Sequence, residues 1–114
     1  MPTPAQQQNN AQALALIRSA EQALDNVIAT TANPDTLNAL AGIYSQLTSV
    51  ATSLIQAQTT ADDAVFTQMA VSLNGQAKSL KASQALIQHL ITDVATAGKI
   101  IGYLTQAAAF IARL

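Results

Sequence analysis

Thr31-Ala32-Asn33-Pro34-Asp35 is the stretch on which the fold turns. Proline disfavours helix at the residue before it, yet its fixed φ and missing N–H suit the first position of a new helix. Asn33 stands where a side chain can cap that helix, and Asp35 puts a carboxylate at the positive end of its dipole. The pentad predicts that one helix ends near residue 32 and a second starts at Pro34.

The flanks carry the matching periodicity. Upstream, Ala13, Leu16, Ile17, Ala20, Leu24, Val27 and Ile28 recur at steps of three and four, with Arg18, Gln22, Asp25 and Ala29 on the other side. That is one amphipathic helix with a broad apolar face. Downstream, Leu37, Leu40, Tyr44, Leu47, Ala51, Leu54 and Gln58 alternate by three and four, and Ile43, Val50 and Ala57 widen the seam. The outer face of this second helix, including Asn38, Ser45, Ser49, Thr52, Ser53 and Gln56, carries no charge. A second boundary falls at Thr59-Thr60-Ala61-Asp62-Asp63, where Thr60 followed by Asp63 has the form of a capping box and two carboxylates face a helix start.

Beyond it a heptad register runs on. Every seventh residue from Phe66 reads Phe66, Leu73, Leu80, Ile87, Val94, Ile101 and Ala108; from Met69 it reads Met69, Gln76, Ser83, Leu90, Ala97, Leu104 and Ile111. Gly75 lies away from this seam and is tolerable inside a packed helix. An unbroken helix from Ala61 to Ala112 would measure ~78 Å and leave half its seam unpartnered. The expected break is near Gly98, as a helix-ending glycine, with a short fourth helix folding back; the alternative is the unbroken rod, which would require oligomerisation. The predicted fold is all-α: an up-and-down antiparallel bundle of three long helices and a shorter C-terminal one, over about residues 8–32, 34–58, 60–96 and 98–113. The start MPTPAQQQNN reads as a flexible lead-in over residues 1–10, with the first helix beginning between Pro4 and Asn10 and a single domain over 11–114.

Composition limits the function. Of 114 residues, 50% are hydrophobic and only 10% charged, against roughly 25% charged in an average domain. The 24 alanines, 13 leucines and 9 isoleucines argue against disorder, so the solvated faces consist of 13 Gln, 12 Thr, 7 Ser and 6 Asn. With a net charge of −1, copies of the chain repel one another little, which favours association. Five scattered cations leave no electrostatic footprint for nucleic acid. Absence of cysteine removes disulfides, thiolate metal sites and a Cys nucleophile. The N-terminus lacks the basic start and apolar run of a cleavable signal peptide, and no clear transmembrane helix stands out. A cytoplasmic protein, or one exported by a signal-independent route, is expected.

Catalytic patterns are missing: no G-x-S-x-G elbow, no Walker loop and no H-E-x-x-H. His89, the single histidine, sits four residues from Asp93 without a ligand set around it and reads as an exposed helix histidine. Asp62 and Asp63 read as helix-start carboxylates. No enzyme, cofactor or metal site is expected. The segment from Val94 exceeds what a bundle requires, because Lys99, Gln106 and Arg113 form one narrow polar stripe on an otherwise apolar helix. Its Gly98-x-x-x-Gly102 spacing allows close backbone approach, either against a helix of the same bundle or against another subunit. The expected function is non-enzymatic assembly with copies of itself or a helical protein partner. The candidate contact comprises Ile100, Ile101, Tyr103, Leu104, Phe110 and Ile111, with Gly98 and Gly102. The alternative is a membrane-surface protein with Lys99 and Arg113 at the headgroups.

Overall fold

Helices in this chain begin where a polar side chain accepts hydrogen bonds from the free N–H groups of the first turn. The computed structural model describes residues 2–114, and among them four helices form and no strand does. Helix α1 (Pro4–Thr30) starts at a reciprocal capping box: Thr3 Oγ1 accepts from the Gln6 amide at 3.1 Å, and Gln6 Oε1 accepts from the Thr3 amide at 2.8 Å. Helix α2 (Pro34–Thr59) starts as predicted, with Asn33 Oδ1 accepting from the amides of Asp35 and Thr36. Helix α3 (Asp63–Leu90) is capped by Asp62, whose Oδ1 accepts from the Val65 amide. Helix α4 (Val94–Ile111) is capped by Asp93, which accepts from the amides of Ala95 and Thr96.

Three expectations are corrected here. Helix α1 begins at Pro4, the early end of the expected range, so the run read as lead-in up to residue 10 is helical from there and Asn10 is fully buried in the bundle; Met1 lies outside the described residues. The capping box turns this polar run into a helix start. The cap of α3 is Asp62 and not Thr60, since a carboxylate one turn ahead of Val65 is the stronger acceptor. The break expected near Gly98 lies instead at Ile91–Asp93, where Ile91 turns extended and Asp93 opens α4. Gly98 has no positive φ and lies inside α4. Helix continuity through Gly75 holds.

Of the two heptad series, one is lost across the break. The heptad series from Phe66 is buried through Leu73, Leu80 and Ile87, but its next member, Val94, is 83% exposed and Ile101 is half-buried. Helix α4 keeps the Met69 series buried at Ala97, Leu104 and Ile111 and fills the rest of its inner face with Ile100 and Ala107 in place of the Phe66 series.

Three connections of three residues each make consecutive helices antiparallel neighbours. The pairs in contact are α1 with α2, α2 with α3, α3 with α4 and α4 with α1, which closes the four into a ring. The bundle measures 46 × 21 × 20 Å. Its axis is filled by Ile17, Leu24, Leu40, Leu47, Leu54, Leu73, Leu80, Ile87, Ile100, Leu104 and Ile111, all fully buried. Each such side chain contributes roughly 1.5–3 kcal/mol by leaving water. The α2–α3 seam adds two side-chain hydrogen bonds, Gln76 to Ser53 at 3.3 Å and Ser83 to Gln46.

Candidate interaction surface

Helix α4 offers three kinds of surface. Its inner face, with Ile100, Leu104 and Ile111 fully buried, forms part of the core. Of the eight residues expected at a partner contact, these three are therefore covered within the closed bundle. Ile101, Gly102, Tyr103 and Phe110 are half-buried on its flanks, and Gly98 is exposed. Ile101 lies on the α3 side, where Thr105, one turn on, accepts a hydrogen bond from Gln84 of α3 and donates its own to the Ile101 carbonyl. Tyr103 lies on the α1 side.

The third surface points outward. Ala95, Gly98, Gly102, Thr105, Ala109 and Ala112 fall on it at steps of three and four, all small, and all exposed except the half-exposed Gly102. A Cβ added at Gly98 or Gly102 would meet nothing within 4 Å. The glycine spacing therefore does not serve close packing of α4 on its own neighbours, and that reading of the motif is corrected. Beside the small residues run Lys99, Gln106 and Arg113, with the Arg113 guanidinium 5.5 Å from the Phe110 ring centre. That cation–π contact holds the charge along the flank of the helix.

On the α1 side, Lys99 and Tyr103 share a shallow groove of about 290 Å³ with Ser19, Gln22 and Asn26. It continues into an open cleft of about 630 Å³ beneath the α1–α2 and α3–α4 connections, lined by Val27, Thr31, Asn33, Leu90, Asp93 and Thr96 among others. Most of its polar groups already have work to do: Thr31 donates to the Val27 carbonyl, and Asn33 and Asp93 cap helices. The Asp93 carboxyl is held below the ordinary carboxylate range by the amides of Thr96 and Ala95 and the Thr96 hydroxyl.

His89 is exposed in the last turn of α3. Among the described residues, no three His, Asp or Glu side chains come together as a metal cage. Glu21, half-buried on α1, has one carboxylate oxygen buried without a hydrogen-bond partner. Burial raises its pKa, opposed by the nearby Arg18 charge and the Thr48 hydroxyl.

Two features escaped the sequence reading. The alanines that extend the glycine pair along one face look like ordinary helix formers until the seam of α4 is known. Asn10 is hidden in a Gln/Asn run whose composition suggests solvent, and only the Thr3-x-x-Gln6 capping signature could have pulled it into the helix. The chain matches no known protein family, no curated protein and no solved structure.

Proposed function

We propose that this protein is a non-catalytic assembly subunit that associates with a second copy of itself through the outward flank of α4. The observation that carries the reading is the placement of Gly98 and Gly102. Glycine costs a helix interior about 1 kcal/mol relative to alanine, and nothing inside the bundle requires its missing side chain at either position. A helix backbone approaching from outside does use it, as in small-residue helix pairs. Ile101, Tyr103 and Phe110, half-buried along both flanks, supply the apolar rim of such a contact. A net charge of −1 and long uncharged faces keep repulsion between copies low.

The test separates association from folding. Gly98→Leu and Gly102→Leu place a bulky side chain on the outward face, where an added Cβ meets nothing within 4 Å, so each variant is expected to keep a cooperative melt while losing its oligomer. Light scattering coupled to size exclusion over a dilution series reads the mass. A parent that stays monomeric at every concentration, or variants that assemble like the parent, would refute the proposal.

A second reading rests on a different observation. Val94–Ile111 is long and apolar enough to cross a membrane, a test that a core helix also passes. In this reading α4 lies on or in a lipid surface with Lys99 and Arg113 toward the headgroups. Migration of the monomer onto anionic vesicles at low salt, weakened by Lys99→Glu with Arg113→Glu, would favour it. Failure to bind such vesicles would exclude it.

A further inference from the structure

Asn10 is fully buried on α1, and neither its Nδ2 nor its Oδ1 has a hydrogen-bond partner in the protein. Every other buried position of that helix is apolar: Ala13, Ile17, Ala20 and Leu24. A buried amide without partners disfavours the closed state, because opening returns both groups to water. The penalty falls at one end of the molecule. Gln6, one turn before Asn10 on the same face, donates from Nε2 to the Leu114 carbonyl at 3.0 Å. Counted from this bond at equal rise along the antiparallel α1 and α4, Asn10 falls at about the level of Phe110 and Ala13 at about that of Ala107.

The first turns of α1 thus cover the last two turns of α4 with little apolar contact of their own. Ahead of Ala13, the described chain offers a buried Pro2, Thr3, Pro4 and then alanines, glutamines and asparagines, and no large apolar side chain. At the same end of the bundle, α3 anchors its first turn with the buried Phe66.

We propose that Pro4–Ala13 is a latch over the C-terminal turns of α4 that opens ahead of the rest of the bundle, with Asn10 setting its weakness. Opening uncovers Ala107 and Ile111 beside the half-buried Phe110. The latch thereby controls how much apolar surface α4 presents for the self-association proposed above; that consequence rests on the assembly reading, whereas the opening itself does not.

Amide hydrogen exchange on the full chain, at a concentration where it is monomeric, tests the opening. The backbone amides of Gln8–Ala13 are expected to exchange at least about tenfold faster than those of Ile17–Leu24 and than those of Thr67–Leu73 in α3. Ordinary fraying of a helix end would give part of this difference but would not depend on residue 10. Asn10→Leu is therefore expected to slow exchange over Gln8–Ala13 by about tenfold or more, leaving Ile17–Leu24 limited by global unfolding. Gln6→Ala, which removes both the Leu114 bond and the Gln6 half of the capping box, is expected to accelerate exchange over the same stretch alone, so the weight of the test rests on Asn10→Leu. Equal protection of both α1 stretches in the parent would overturn the latch, as would exchange over Gln8–Ala13 that Asn10→Leu does not slow. A latch that behaves as described in a chain that never associates would leave the opening standing and defeat the assembly reading.

Discussion

Glu21 shows how one partly desolvated carboxyl governs a pH response. Its pKa in the folded chain is raised above the ordinary value of 4.5, chiefly by burial, so the folded state holds its proton more tightly than the unfolded state. The sign follows from linkage. The contribution of protonated Glu21 is fully present below 4.5 and is lost as pH rises through the raised folded value. Glu21→Gln is expected to flatten that limb and to melt higher at neutral pH, read by thermal unfolding between pH 4 and 7. Asp93 acts in the opposite direction: its lowered pKa gives stability that is present above the unfolded value and lost as pH falls through the folded one. Asp93→Ala should abolish this acid limb and loosen the start of α4, seen as faster exchange at Ala95 and Thr96. Asn33 makes the equivalent neutral cap on α2, and its replacement by alanine is expected to cost about 1 kcal/mol in denaturant unfolding.

At the scale of the element, α4 differs from the other three helices in length and in what its outer face carries. Eighteen residues set it against helices of 26 to 28. Gly98→Ala and Gly102→Ala remove a helix penalty without meeting any neighbour, so each is expected to raise monomer stability by roughly 1 kcal/mol. A smaller gain, or a loss, would mean that the outward face of α4 is already occupied in solution. Ile101→Asp probes the flank instead. It is expected to abolish association while circular dichroism keeps its helical signal and cooperative melt; a folded variant with an unchanged oligomer would remove Ile101 from the contact.

At the scale of the whole molecule, stability resides in the axial layers shared by all four helices. Leu104→Ala, fully buried in α4, is expected to cost about 2–5 kcal/mol because a four-helix ring collapses only partly around the lost volume. The up-and-down ring itself was legible from residues. Asn33-Pro34-Asp35 fixes a helix start by local chemistry, apolar steps of three and four mark each inner face, and short connections force antiparallel neighbours. These signals act over a few residues and need no partner to be read. What only the tertiary structure decided was the assignment of face and end. Thr92-Asp93 outcompeted Gly98 as the break because a carboxylate can cap a helix directly, whereas a glycine stops one only if the chain turns left-handed there. With the break there, Ile100 and Ala107 took the inner places expected for Ile101 and Ala108, beside Leu104 and Ile111 as read from the sequence, and Gly98 and Gly102 were left facing open space. Asn10 and Leu114 likewise owe their surroundings to chain ends that meet across the bundle, a long-range encounter that no local pattern encodes.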